Sequence, residues 1–399
     1  MKTEQKVNIM IQRVGICVAL LLMNVMVSGQ KIKGNQEEVK VPMTAEHWNT
    51  TTDNVEFFTH KSVPAVRGKD GKALGVFLKD MAFANGTIEF DVELVGQGFP
   101  GIVFRTGKDT LNGEIFYLRY FGKPDRLRRT TLQYASVQDR VNMWDMTDEY
   151  QAAAVIKENE WNHIKLVVYG KQMKVYVNDM QKEALRVPAL EGVNDSGGIE
   201  LTGNVIYANF TIRPNATEDL SPDPGYDLTN NDSRYLRNWQ VTDPIDFPFG
   251  RDLMLGIPRS PGVAIDTVLF DSTAVWKPLK AERRALVNLT RLFGQTEQGQ
   301  RRLTWIKTTI SSPKEQERRI DMGFSDEVWV FINGQPLHAD KNYYGSPGMK
   351  EPRGRCAIEN TSFKVPLQEG ENELLIAVTN YFYGWGIIAR MDQADGLDF

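Results

Sequence analysis

The sequence predicts an all-β chain made of two β-sandwich domains in series. Three observations predict it. The stretch Gly86 to Leu94 alternates without a slip, with Ile88, Phe90, Val92 and Leu94 on one side and Glu89, Asp91 and Glu93 on the other. Side chains alternate across a strand with period two, so this is a half-buried β-strand with one apolar and one acidic face. Short alternating segments then recur about every 8 to 12 residues, separated by clusters of Gly, Pro, Asn and Asp. Almost no stretch carries the 3.6-residue period of an amphipathic helix.

The first 30 residues are read as a signal peptide and set aside. Lys2, Lys6 and Arg13 form a positive leader, Val14 to Val27 is apolar apart from Gly15 and Asn24, and Val27-Ser28-Gly29 ends it with small residues. That run is shorter than the ~20 residues a membrane span needs, so export to a secreted or periplasmic location is expected, with no integral membrane span. Removing Cys17 leaves Cys356 alone, so apolar cores rather than disulfides must hold the fold. The chain of 399 residues is longer than the ~250–300 that one core serves, which argues for two domains. A net charge of -4 argues against a general grip on nucleic acid or anionic membrane.

In order, the first domain (residues 41–213) opens with strand material at His47-Trp48 and Val55 to Phe58, a turn at Gly68 to Gly71, and a short strand at Ala73 to Leu78. The Gly86 to Leu94 strand follows, then Gly101 to Arg105, Glu114 to Tyr120, Thr131 to Ala135, Trp161 to Tyr169, Lys174 to Asn178, and Ile199 to Ile212 with a break at Gly203-Asn204. Tyr169 to Asn178 reads as a hairpin turning at Gly170. Residues 214–234, rich in Pro, Asp, Asn and Thr, read as a linker or junction loop. The second domain (residues 235–399) begins around Tyr235 to Trp239. Val268 to Ser272 and Trp276 precede Lys280 to Leu289, the one stretch expected to be helical. Strands are expected at Arg302 to Ile310, Arg318 to Gly323, Glu327 to Ile332, Thr361 to Val365, Asn372 to Asn380 and Gly386 to Met391, with a tight turn at Asn333-Gly334.

Phe83-Ala-Asn-Gly-Thr-Ile-Glu-Phe-Asp91, Gly101-Ile-Val-Phe-Arg105, Phe116-Tyr-Leu-Arg119, Gln133-Tyr134 and Asn159 to Val167 together resemble the concanavalin A-like lectin/glucanase sandwich. The version is the laminin-G-like and 3-keto-disaccharide-hydrolase-like one of secreted bacterial proteins. Asp326-Glu-Val-Trp-Val-Phe-Ile-Asn-Gly334 and Val365 to Leu375 resemble the galactose-binding-like jelly roll. The resemblance implies two jelly-roll sandwiches and carbohydrate as partner; with no Gly-rich phosphate loop after a strand, no cofactor is expected. Galactose-binding-like folds often hold a structural Ca²⁺, which takes oxygen ligands, and by that analogy Asp321 or Asp326 would contribute.

Three constellations are candidates for chemistry or binding. Glu89-Phe-Asp-Val-Glu93 matches on its surface the Glu-x-Asp-x-Glu strand of retaining β-glucanases, where two carboxylates about 5 Å apart act as nucleophile and acid. It comes early in the chain and lacks the Trp-rich surroundings of that strand, so a polar sheet face is the expected reading. Alternation in neighbouring strands turns Arg105, Tyr117, Arg119 and Gln133 outward, onto one concave face expected to be shared with the acidic row, with Trp144 closing an edge. An aromatic plane with bidentate donors and amides suits a sugar; the alternative is that the arginines merely pair with Glu89, Asp91 and Glu93. In the second domain Tyr343, Tyr344, Tyr381, Tyr383 and Trp385 either stack on sugar or pack between the domains. The four histidines are scattered, His163 reads as a satisfied sheet residue, and no Gly-x-Ser-x-Gly elbow or phosphate loop occurs. The expectation is a secreted carbohydrate-binding protein accessory to polysaccharide recognition or breakdown. The alternatives are a glycoside hydrolase using the concave-face carboxylates and a structural or adhesion module without a small ligand.

Overall fold

The computed structural model describes residues 37–50, 52–123, 125–146, 149–253 and 273–399. The expected signal peptide and the Val268 to Ser272 segment lie outside the described residues. Four antiparallel sheets divide along the chain. The first runs Glu183–Val187, Gln172–Val177, Asn162–Tyr169, Gly86–Leu94, Val205–Pro214, Val63–Gly68, Val55–His60. The second runs Val141–Asn142, Leu132–Gln138, Gly113–Leu118, Gly101–Thr106, Gly198–Gly203, Leu74–Leu78, Trp48–Thr50. Ile88, Phe90, Val92 and Leu94 from the first meet Ile102, Phe104, Phe116 and Leu118 from the second in one buried core. Alternation predicted this inward set, and at ~25 cal/mol per Å² such apolar burial is the main stabilising contribution.

The remaining two sheets use only strands from Asn238 onward. Arg302–Ser312, Gly370–Asn380 and Glu327–Ile332 form the centre of the larger one, and Gly386–Met391, Gln316–Ser325 and Thr361–Leu367 the smaller. Ile306, Val328, Val330 and Ile376 face Ile320, Phe324, Val365 and Ile387 across the second core. Both sandwiches belong to one compact unit, residues 38–399. Among the described residues no helix is long and apolar enough to cross a membrane.

One expectation changes. Lys280 to Leu289 is not a helix: a strand ends at Lys280, a single 3₁₀ turn spans Arg283–Ala285, and the short helix Leu289–Phe293 starts only after Asn288 caps it by accepting from Arg291 N at 3.0 Å. The cause is tertiary. The Arg284 side chain donates to Met146 O at 2.6 Å and pairs with Glu191 at 3.2 Å, both in the first sandwich, and this holds Arg284 at φ 62°, outside a right-handed helix. In residues 214–234, the expected linker or junction loop, several side chains pack on the first sandwich. Leu220 is buried against Val167 and Tyr176 on the outer face of the first sheet, and Glu218 and Asp219 both pair with Lys174.

Candidate functional site

The site is built on the outer face of the second sheet. In Gly113–Leu118, Phe116 and Leu118 enter the core, so Ile115 and Tyr117 project from the opposite face. Gly101 pairs with Tyr117 on the neighbouring strand. A Cβ at Gly101 would sit 2.7 Å from Tyr117 Cβ and 2.6 Å from Phe116 O, so glycine is required for the ring to lie there. On the other side Tyr117 pairs with Gln133, which is fully buried and donates from Nε2 to Trp144 O at 2.8 Å. That bond draws the 142–146 loop over the sheet and seats Trp144 on Tyr117 and Ala135.

The second sandwich grips the same loop. Gly384 N donates to both carboxylate oxygens of Asp145 at 3.2 and 3.1 Å, and Cys356 N donates to Asp145 O at 2.8 Å. Met143 and Met146 pack with Leu286, Cys356 and Ile388 in an apolar seam between the sandwiches. Beside the seam, Tyr344 and Tyr383 stand edge-on to Trp144 with ring centroids 5.0 and 5.8 Å away, and Phe382 stacks on Tyr344 at 5.8 Å. Together these groups enclose a cavity of about 360 Å³. Tyr117, Arg119 and Trp144 line it from the first sandwich, and Tyr344, Arg353, Arg355 and Tyr383 from the second. Phe99, Tyr344 and Tyr383 keep 53%, 48% and 45% of their surface exposed, so apolar rings face solvent at the mouth.

Among the described residues no Asp or Glu lines this cavity, and three arginines do. Arg119 donates to Tyr117 Oη at 2.9 Å and Thr130 O at 3.2 Å, with its guanidinium over the Tyr117 ring at 5.0 Å. Burial holds it below its ordinary pKa, because a charge taken from water without a counter-charge is disfavoured. Tyr117 is pushed up to about 12, again by burial, so its hydroxyl stays protonated and neutral. Arg355 lies over the Trp144 ring at 4.8 Å. Its charge lowers Asp145 only in part, since burial prevails and pushes that carboxyl up to about 7.

The predicted site residues divide. Tyr117, Arg119, Trp144, Tyr344 and Tyr383 come together in the cavity although they are far apart in sequence. Gln133 supports the site from beneath rather than facing a ligand. Arg105 does not reach the face expected of it: its φ of 54°, beside a register shift opposite Gly198 and Ile199, breaks the alternation. It is buried and donates to Ala84 O at 3.0 and 2.6 Å. Trp385 is a fully buried core residue of the second sandwich, against Phe293. Tyr343 packs on Tyr381 at 5.0 Å and is not among the cavity's lining residues.

The acidic row is not on the concave face with these groups. Gly86–Leu94 belongs to the first sheet, so Glu89, Asp91 and Glu93 point out on the far side of the sandwich. Their partners are not Arg105 or Arg119. His163 bonds Asp91 at 2.7 Å and Glu89 at 3.0 Å, Arg213 pairs with Glu89, and His60 and Lys61 meet Glu93 at 3.0 and 2.7 Å. Hydrogen bonds that the ring donates to Asp91 and Glu89 raise His163 to about 9. The reading as a polar sheet face accounts for every one of these contacts. Of the aspartates named for Ca²⁺, Asp321 pairs with Arg319 and Arg390, and Asp326 accepts from Tyr381 N and Phe382 N. Among the described residues no group of three His, Cys, Asp or Glu side chains is placed to hold a metal ion.

Sequence reasoning missed Phe99, Arg353, Arg355, Phe382 and Glu200. The arginines sit in Pro352-Arg-Gly-Arg355, at the far end of the loop that carries Tyr343-Tyr344, and the length of that loop was the available signal. Glu200 was legible from alternation between Ile199 and Leu201. It pairs with Val103, which pairs with Ile115, so it lies two strands, or ~10 Å, from the cavity wall on the same face. It has no hydrogen-bond or ion-pair partner among the described residues, and burial raises it to about 7.

No family model matches the chain, and no curated protein does. Solved structures do share part of its strand arrangement. It is similar to the carbohydrate-binding module CBM66 from Bacillus subtilis (15% identity, 42% of this chain and 95% of that one, TM-score 0.32). It is similar also to a Bacillus licheniformis β-glucanase (9% identity, 46% and 99%, TM-score 0.32). A third is a Bacillus subtilis protein of unknown function with a galectin-like fold (10% identity, 44% and 94%, TM-score 0.34). At these values the reading of the site rests on its own residues.

Proposed function

We propose that the chain is an exported carbohydrate-binding protein that holds a saccharide in the cavity between its two sandwiches. The observation that carries this is the set of partly exposed rings, Phe99, Tyr344 and Tyr383, arranged around Arg119, with Trp144 as the inner wall. A pyranose presents an apolar C–H face and a rim of hydroxyls; rings meet the first, and guanidinium, amide and phenol groups meet the second. The volume of about 360 Å³ lies at the small end of the ~300–1,000 Å³ usual for small-ligand sites, which suits one or two sugar units of a longer chain. The test is a glycan-array screen of the full chain beside Tyr383→Ala. Binding that the variant weakens supports the reading; silence across the array, or binding indifferent to Tyr383, contradicts it.

Glu200 favours a second reading, glycoside hydrolysis. It is a partly buried carboxyl with no partner among the described residues, and burial raises it to about 7, so about half of it carries a proton at neutral pH, available to a general acid. Two-carboxylate hydrolysis needs a second such group, and the acidic row on the opposite face does not supply it. Reducing-sugar release abolished by Glu200→Gln with binding retained would establish this reading.

A further inference from the structure

We infer that the saccharide held between the sandwiches is an acidic one, recognised through a carboxylate or sulfate group by Arg119 and Arg353, with Arg355 behind them. This rests on the reading of the cavity as a saccharide site and names the class of sugar. The chain carries a net charge of -4, so a positive pocket is not a by-product of a basic protein. Among the described residues three guanidiniums line it against no acidic side chain.

Their surroundings separate their roles. Arg355 is buried over Trp144 and faces the Asp145 carboxyl, so its charge is partly answered from within. Arg119 is not answered in this way. Both its hydrogen bonds go to neutral oxygens, Tyr117 Oη and Thr130 O, and it has no ion pair among the described residues. Two of its five N–H donors are thereby used, and the others remain to meet a ligand. Arg353 stands exposed at the mouth, and its guanidinium likewise has no ion pair among the described residues. A partly buried cation without a counter-ion is unfavourable until an anion enters. A planar guanidinium meets carboxylate or sulfate oxygens with parallel N–H donors. The surrounding rings then hold the sugar face rather than a bare ion, which distinguishes this site from a general anion cradle.

The experiment is calorimetric titration of the full chain with four ligand sets and one control. The sets are oligomers of uronic acid, a sulfated galactan oligosaccharide, and the same two chains after carboxyl reduction or desulfation; the control is polyglutamate. The expected result is that an acidic set binds and its neutralised counterpart binds about tenfold more weakly or worse, as the loss of a charge-assisted hydrogen bond requires. Which acidic set binds tells uronate from sulfate. Arg119→Gln and the exposed Arg353→Gln should each narrow the gap between acidic and neutral ligands, and Arg353→Gln keeps the test open if Arg119→Gln fails to fold. Equal affinity for acidic and neutral forms overturns this inference and leaves the saccharide site standing. Equal affinity for polyglutamate overturns it in favour of a plain anion site. No binding by any set overturns both.

Discussion

Adding one methyl group at Gly384 should part the two sandwiches where the site is assembled. A Cβ there would stand 2.6 Å from Met146 Cγ and 2.7 Å from Asp145 Oδ1, closer than real Cβ contacts come. The backbone cannot retreat easily. Ser325 Oγ donates to Gly384 O at 2.7 Å from behind, and the Gly384 N–H is committed to the Asp145 carboxylate in front. The 142–146 loop must therefore yield. Overpacking of this kind costs about 1–3 kcal/mol, and weakening the buried Asp145 hydrogen bonds adds about 1 kcal/mol. At about 2 °C per kcal/mol for a chain of this length, Tm should fall by roughly 4–8 °C for Gly384→Ala. Because Asp145 adjoins Trp144, the inner wall of the cavity moves too, and saccharide affinity should drop about tenfold. Differential scanning fluorimetry and calorimetric titration read the two effects. Met146→Ala in the same background should restore part of the stability, since it clears one of the two clashes, and little of the affinity. A Gly384→Ala protein with unchanged Tm and unchanged affinity would refute the idea that this contact assembles the site.

Four further outcomes follow from the same geometry. Tyr383→Ala, at a position 45% exposed, should leave Tm unchanged and weaken saccharide binding by roughly fivefold, the worth of about 1 kcal/mol of ring stacking. Glu89→Gln should do the reverse: titration shows wild-type affinity, while thermal melts show a modest loss as Arg213 and His163 lose their partner. The folded chain holds the His163 proton up to about pH 9, whereas an unfolded imidazole releases it near ~6.5. The native state binds more protons between those values, so this contribution is complete below about pH 6.5 and is lost as pH rises through 9. The ring is more than a third exposed, which reduces the effect to about 1 kcal/mol; His163→Asn should flatten the fall of Tm across that window. Glu327→Ala leaves Arg301, 3% exposed, without its buried carboxylate and should cost about 3–5 kcal/mol in denaturant melts with no change in ligand affinity.

Much of the fold could be read from the chain because alternation is a local signal. Gly86–Leu94 and Gly386–Met391 were placed to the residue, and the Gly203-Asn204 break separates two strands of different sheets. What alternation gives is two faces, not the sheet to which a strand belongs. Glu89 and Tyr117 were both correctly turned outward, yet they sit on opposite sides of one sandwich, because pairing order is decided by partners far away in sequence. Arg105 escaped the rule because a positive φ turns its side chain inward. Arg284 shows the same limit for helices, since a cross-sandwich ion pair outweighs local propensity. The site was half legible for the same reason. Tyr117, Arg119 and Trp144 belong to one set of strands and turns, and Tyr344 and Tyr383 to another, and each set was read by itself. Their meeting depends on Asp145 reaching Gly384, a contact between residues 239 positions apart that no local pattern records.

The most direct measurement is a crystal structure of the full chain soaked with the strongest ligand from the glycan array. The account predicts a sugar ring against Tyr344 and Tyr383, with Trp144 behind it and its polar edge on Arg119. Density for the sugar on the Glu89, Asp91 and Glu93 face instead would contradict it.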